Sequence, residues 1–105
     1  MEEIPSTNLI TADGEYKIFL GPEGANVVVE VEGVFDGATV TLGRASISRV
    51  FRPYQEAGVD VVMAAGDLKV VALGIRGTLA LKVLGGGGAL ALQFAVTRHR
   101  TQFYR

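Results

Sequence analysis

Few side chains in this sequence could carry out chemistry, and those few are scattered. Cysteine is absent and His99 is the only histidine, which excludes thiol nucleophiles, disulfides and cysteine-bearing zinc sites. His99 lies between Arg98 and Arg100, whose positive charges oppose the binding of a metal cation. Ser46 and Ser48 lack the glycine-flanked pattern of a nucleophile elbow. We therefore expect no enzyme activity, no metal site and no cofactor.

Glycine-rich motifs in the chain fit turns better than ligand-binding loops. Residues 85–88 are four glycines, but Ala89 and Leu90 follow where a dinucleotide fingerprint or a P-loop needs other residues. We expect a flexible hairpin loop here, or alternatively a tip that becomes ordered against a partner. Asp13-Gly14 and Asp36-Gly37 lie between alternating segments and predict two hairpins, because Asp-Gly suits the positive φ angles of a type I′ turn.

The elements that must position these residues are predicted to be β-strands. Apolar residues recur at every second position between the glycine-rich breaks, which is the pattern of half-buried strands. The predicted inward-facing sets are Tyr16, Ile18 and Leu20; Val27, Val29 and Val31; Ala38, Val40 and Leu42; Leu68, Val70 and Ala72, facing away from Lys69; Leu79, Leu81 and Val83; and Leu90, Leu92, Phe94 and Val96. Helices over residues 58–72 or 78–94 are the alternative, which interior glycines disfavour.

The spacing of the strands indicates an all-β fold. About seven or eight short strands, separated by turns roughly every ten residues, predict an antiparallel sandwich (jelly-roll or Ig-like) or a small barrel. We expect a single domain over residues 1–105, with ends that could form extended arms at 1–8 and 98–105. The alternation of apolar and polar residues is weakest over residues 45–63, within which Pro53 interrupts a strand-like segment. There, residues 55–57 fit a short helical turn and residues 59–63 fit a strand.

The net charge of −1 conceals an uneven distribution. Residues 1–36 contain eight acidic residues and one basic residue, a charge of −7, whereas residues 37–105 contain three acidic and nine basic residues, a charge of +6. Glu30 and Glu32 are two apart and share one strand face, which we expect to be solvated. The asymmetry fits either unrelated solvated faces or contact between the acidic part of one copy and the basic part of a neighbour.

The C-terminal tail combines arginine with aromatic side chains, a composition typical of protein interfaces. A frayed tail and a nucleic-acid contact are the alternatives, and the slightly acidic chain, with a sequence pI of about 5.7, disfavours nucleic acid. The acidic N-terminal end is the second candidate. The predicted interface residues are Arg98, Arg100, Phe103, Tyr104 and Arg105, followed by Glu2, Glu3 and Pro5.

Residues 9–14, 32–42 and 66–70 carry a pattern that resembles small β-sandwich proteins of tailed-phage virions, of the head decoration type. Residues 32–42 (EGVFDGATVTL) resemble a pattern in which a short strand ending in Gly-x-Phe is followed by Gly-Gly-x-Val-x-Leu and then by a polar segment. Residues 9–14 (LITADG) and 66–70 (GDLKV) are similar to the first hairpin and a later strand of the same pattern. The resemblance implies a non-enzymatic particle component that decorates the capsid shell or forms collars, fibres or tail parts, as a symmetric oligomer.

We therefore expect a virion structural protein, a capsid decoration or cement protein that stabilises the coat shell. Its expected partners are itself, as a homotrimer, and the major coat protein or another virion protein. The alternative is a carbohydrate- or receptor-binding module of a fibre or tail, which needs an exposed aromatic platform from Tyr16, Phe51 and Tyr54. A small cupin-like enzyme is the third hypothesis, which one histidine disfavours.

The N-terminal sequence favours synthesis in the host cytoplasm. It begins with acidic residues and lacks the basic end and apolar run of a secretory signal. No stretch reaches the roughly 18 uninterrupted apolar residues of a membrane span. We expect a protein that has no membrane partner and ends up in the virion.

Overall fold

The computed structural model describes residues 1–20, 25–46, 48–64, 68–75 and 77–99, which fold into β-strands without a helix. The sequence predicted seven or eight strands; the described residues form twelve, five of which have only two or three residues. The strands are β1 (Glu2–Glu3), β2 (Thr7–Ile10), β3 (Gly14–Phe19), β4 (Ala25–Val34), β5 (Thr39–Ala45), β6 (Phe51–Pro53), β7 (Gln55–Glu56), β8 (Val59–Asp60), β9 (Val62–Ala64), β10 (Leu68–Ile75), β11 (Thr78–Leu84) and β12 (Ala91–His99). The all-β class predicted from the alternation is confirmed.

The strands form two larger sheets and one small hairpin. Sheet A has the order β1-β3-β11-β5-β6, and β9 also pairs with β5, in line with β6. Sheet B has the order β10-β4-β12-β2. All of these pairs are antiparallel except β1 with β3. Strands β7 and β8 pair with each other and form a separate two-stranded hairpin.

Both sheets bury alternate side chains in one hydrophobic core. In β4, Val29 and Val31 are fully buried, whereas Glu30 between them is exposed. The predicted inward-facing residues of β3, β4, β5, β11 and β12 all belong to this core, so those predictions are confirmed. In β10 the alternation was misread, because Val71, predicted to lie on the side of Lys69, packs against the core.

The Asp-Gly pairs do not form hairpins between neighbouring strands. Asp13-Gly14 connects β2 of sheet B to β3 of sheet A, and Asp36-Gly37 connects β4 of sheet B to β5 of sheet A. The second pair does form the expected tight turn: the φ angles of Asp36 and Gly37 are 48° and 84°, and Ala38 N donates to Phe35 O at 2.9 Å. The turn chemistry was therefore predicted correctly at Asp36-Gly37 but not at Asp13-Gly14, where Asp13 does not have a positive φ and Gly14 is extended. The predicted pairing of the flanking strands was wrong for both pairs.

Residues 55–57 are not the short helical turn that the sequence predicted. Gln55 begins β7, and a two-residue turn at Ala57 and Gly58 leads into β8, with positive φ angles of 53° and 80°. The hairpin is closed at its base by Val61 N, which donates to Tyr54 O at 2.9 Å. The predicted strand over residues 59–63 is consequently divided between β8 and β9.

The shared core makes a direct prediction for Phe94 of β12, whose side chain is 0% exposed. Phe94→Ala should lower the free energy of unfolding by about 3–5 kcal/mol, because it removes buried apolar surface and leaves a cavity. Urea unfolding followed by circular dichroism measures the loss. The matched control is Phe19→Ala, because Phe19 is 62% exposed. This substitution should lower the free energy of unfolding by less than about 1 kcal/mol. Equal losses in the two variants would contradict this assignment of the core.

Candidate functional site

The N-terminal interface candidates lie along a sheet edge. Glu2 and Glu3 are exposed in β1, where they pair in parallel register with Tyr16 and Lys17 of β3. Pro5 is exposed, and its carbonyl oxygen accepts a hydrogen bond from Asn8 Nδ2 at 2.8 Å. The segment from β1 to β2 therefore runs from sheet A to sheet B and pairs with both.

The C-terminal candidates are only partly described. Arg98 lies in β12, opposite Val27 of β4, and therefore belongs to sheet B. Arg100, Phe103, Tyr104 and Arg105 lie outside the described residues. The structure places the two described groups of candidates in different sheets: Glu2 and Glu3 in sheet A, and Arg98 in sheet B.

Asp13 binds the backbone of the glycine run. Its two carboxylate oxygens accept hydrogen bonds from Gly85 N at 3.0 Å and from Gly86 N at 2.9 Å. Hydrogen bonds from backbone N–H groups to a charged carboxylate are stronger than those between neutral groups. Asp13 therefore ties the connection before β3 to the connection before β12.

Asp36 holds the other half of the same loop. Asp36 Oδ2 accepts a hydrogen bond from Ala89 N at 2.9 Å, and the Asp36 carbonyl accepts one from Gly87 N at 3.1 Å. Residues 85–88 connect β11 of sheet A to β12 of sheet B, so the predicted hairpin loop is wrong. The two aspartates and this loop, here called the Asp–Gly end, join three connections that each pass between the sheets.

Tyr16 is a buried residue beside the Asp–Gly end. Its hydroxyl donates a hydrogen bond to the carbonyl oxygen of Ala12 at 2.6 Å. Burial raises the pKa of Tyr16, and the negative charges of Glu2 and Asp13 raise it further. Tyr16 therefore serves the fold, and it cannot contribute to an exposed aromatic platform.

The other two platform candidates are not freely exposed either. Tyr54 is half-buried and packs against the core. Phe51 is half-buried, with Lys82 Nζ 5.9 Å from the centre of its ring, an arrangement suited to a cation–π contact. The most exposed described aromatic ring is that of Phe19, which the sequence analysis did not select.

The outer face of sheet B carries two carboxylates among apolar side chains. Glu30 and Glu32 alternate with the buried valines of β4 and point away from the core. Leu9 and Val34 are exposed beside them, at 64% and 52%. Two shallow depressions follow this surface, here called the acidic face. They are lined by Thr7, Leu9, Glu30, Glu32, Gly33, Val34, Ala91, Gln93 and Ala95.

An arginine-rich hairpin forms a positively charged surface, in contrast to the negatively charged acidic face. Arg44 of β5 and Arg52 of β6 lie directly opposite each other, and Arg49 lies in the connecting turn. All three are exposed, and the only ion pair among the described side chains joins Lys82 to Glu15. Residues 43–53 contain no acidic residue. We call this element the arginine hairpin. Three arginines without an acidic residue within residues 43–53 are the sequence signal that could have identified it.

The arginine hairpin has an internally hydrogen-bonded turn. Ser46 N donates to Val50 O at 3.0 Å, and Arg49 N donates to Ser46 O at 2.9 Å. The Ser46 hydroxyl oxygen accepts from Val50 N at 3.1 Å. Arg49 has a φ of 64°, an uncommon conformation for a residue with a side chain. These hydrogen bonds fix the backbone conformation at Ser46, Arg49 and Val50, between Arg44 and Arg52.

No family model, curated protein or solved structure matches this sequence. The described residues contain no helix that is long and apolar enough to cross a membrane. They also contain no group of three or more histidine, aspartate or glutamate side chains arranged to hold a metal ion. The acidic face and the arginine hairpin, both exposed and charged, are the candidate functional surfaces among the described residues.

The Asp–Gly end predicts different effects for two adjacent glycines. A Cβ atom on Gly87 would collide with the Asp36 carboxylate, whereas one on Gly88 would meet nothing within 4 Å. Gly87→Ala should therefore lower the free energy of unfolding by about 1–3 kcal/mol, because the displaced Asp36 carboxylate loses the hydrogen bond that it accepts from Ala89 N. Gly88→Ala is the matched control and should change it by less than about 0.5 kcal/mol. Thermal unfolding of the two variants tests this, and a larger loss in Gly88→Ala would contradict the geometry.

The raised pKa of Tyr16 predicts a loss of stability in alkali. As the pH rises above 10.0, the ordinary value, the unfolded chain releases this proton before the folded chain does. The stability that protonated Tyr16 contributes to the folded state is therefore fully present below pH 10.0. It is lost as the pH rises through the pKa that Tyr16 has in the folded chain. Tyr16→Phe should unfold with a flatter pH dependence above pH 10.0, although it loses the bond to Ala12. Identical slopes for the two proteins in urea titrations would show that Tyr16 has no such role.

Proposed function

We propose that sheets A and B form a β-sandwich and that the protein is a non-enzymatic structural component that binds other proteins. The shared core supports the sandwich, because both sheets bury alternate residues in it. The connections support it as well, since three of them pass between the sheets at the Asp–Gly end. Such a framework leaves the outer sheet faces and the hairpins available for contacts.

The separation of charge on the surface is the observation that carries this proposal. Arg44, Arg49 and Arg52 project from one hairpin, whereas Glu30 and Glu32 project from the outer face of the other sheet. Separated patches of opposite sign orient protein partners and accelerate their association. Asp13 and Asp36, by contrast, are engaged in holding the loops of the fold.

The resemblance to tailed-phage virion proteins supports a more specific role. Residues 32–42 comprise the end of β4, the Asp36-Gly37 turn and the start of β5. This segment lines the acidic face at Glu32 and then crosses to sheet A. We propose a capsid decoration protein, made in the host cytoplasm and assembled into the virion. It would act as a homo-oligomer on the coat shell.

A cement protein of this kind works by mass action. A chain that binds the assembled shell, but not free coat subunits, shifts the equilibrium toward the shell. Many weak contacts, each bridging neighbouring coat subunits, then act together through multivalency. Such a role needs no pocket for a small molecule, and it fits a surface made of strands and short loops.

Binding to coat shells tests the proposed function. Purified protein should co-sediment with shells assembled from the coat protein of the same genome and should raise their melting temperature. The predicted role of the C-terminal tail is tested by truncation after His99, which retains all of β12. The truncated chain should bind at least about tenfold more weakly while its β-type circular dichroism is unchanged.

The control for the truncation is the double variant Glu56→Arg and Asp60→Arg. It changes exposed residues of the β7–β8 hairpin and should leave shell binding intact. Undiminished shell binding by the truncated chain would show that the C-terminal tail is not part of the interface. A full-length chain that ignores the shells and does not alter their melting would overturn the proposed function.

A further inference from the structure

We propose that the arginine hairpin of one copy docks on the acidic face of a second copy. This contact specifies the homo-oligomer of the proposed function and rests on it for its biological purpose. The positions and exposure of charged and apolar side chains support the contact independently of that function.

Arginine side chains at the hairpin are directed toward solvent without an acidic partner among the described residues. Arg44 and Arg52 occupy directly opposed positions on paired strands, where like charges repel each other. Arg49 adds a third positive charge in the turn. An external carboxylate would relieve this repulsion. Arginine suits such contacts because its planar guanidinium can donate two parallel hydrogen bonds to one carboxylate.

Two neighbouring carboxylates lie on the acidic face. Glu30 and Glu32 are two residues apart in β4 and point to the same side, with their Cα atoms roughly 7 Å apart along the strand. No ion pair joins either of them to another described side chain. Two neighbouring carboxylates can therefore receive two guanidinium groups from one hairpin.

Apolar side chains accompany the charges on both surfaces. Val50 lies between Arg49 and β6 and is 48% exposed. Leu9 and Val34 flank the acidic face and are also largely exposed. Burial of these side chains would add a hydrophobic term to the electrostatic one. A protein partner is therefore favoured over nucleic acid, which three arginines on a chain of net charge −1 suit poorly.

The two surfaces of one copy cannot satisfy each other. The arginine hairpin belongs to sheet A, and the acidic face is the side of sheet B that points away from the shared core. Contact between them therefore requires a second molecule. Because different patches meet, the interface is heterologous, so repeated contacts generate a closed ring or an open chain.

A charge exchange tests this interface. The hairpin variant carries Arg44→Glu and Arg52→Glu, and the face variant carries Glu30→Arg and Glu32→Arg. Analytical ultracentrifugation up to about 1 mM protein should show self-association of the unmodified chain. Each variant alone should associate at least about tenfold more weakly. An equimolar mixture should regain association, because each changed patch then meets a complementary one.

Two controls separate the interface from general effects of charge and folding. The variant with Glu56→Arg and Asp60→Arg makes the same charge change as the face variant, but at the β7–β8 hairpin, and should associate normally. About 1 M salt should dissociate the unmodified chain, since it shortens the Debye length to about 3 Å. Urea unfolding of every variant verifies that the fold is intact.

Three results would overturn the inference: a monomer at all concentrations, unchanged association of either variant, or no recovery in the mixture. A hairpin variant that associates normally but no longer binds a single-stranded DNA oligonucleotide would assign the arginines to nucleic acid instead. Binding to coat shells is measured separately. Absence of shell binding with self-association intact would overturn only the proposed function. Shell binding by a chain that does not self-associate would overturn this interface and the homo-oligomer, but not the binding to the shell.

Discussion

Burial of alternate valine and leucine side chains in one shared core is the constraint on which the structure depends. Each long strand of the two sheets commits one face to that core, as Val29 and Val31 do in β4. The opposite face is thereby left to the solvent or to a partner, as Glu30 and Glu32 show. The location of every candidate surface follows from this division, because a pleated strand alternates its side chains between two faces.

The Asp–Gly end joins the two sheets that share the core. Three connections pass from one sheet to the other there, and exposed backbone N–H groups of the glycine loop bond to acceptors of the protein. The carboxylates of Asp13 and Asp36 supply these acceptors to residues 85–89. At Gly87, a Cβ atom would displace the Asp36 carboxylate from its present position. Residues that look like isolated turn motifs in the sequence therefore act together as one structural unit.

Two charged surfaces are the means of recognition in the function that we propose. The arginine hairpin belongs to sheet A and the acidic face to sheet B, and in the proposed contact their attraction acts between two copies. Contact between the acidic and basic parts of neighbouring copies is one of the two explanations that the sequence offers for its charge asymmetry, and the interface residues predicted from the sequence lie at the chain ends. Arg44, Arg49 and Arg52, which are spread over nine residues, are not among those predicted residues. Only the strand pairing shows that Arg44 and Arg52 lie opposite each other.

The sequence by itself determined the all-β class, the inward-facing residues of five strands and the tight turn at Asp36-Gly37. These features depend on local alternation and on backbone preferences, which neighbouring residues dictate. Only the tertiary structure decided which strands pair, that the Asp-Gly turns cross between sheets, and that Val71 of β10 packs against the core. The physical reason is that pairing and burial depend on contacts between residues far apart in the chain, and a strand's alternation identifies its two faces without identifying its neighbour.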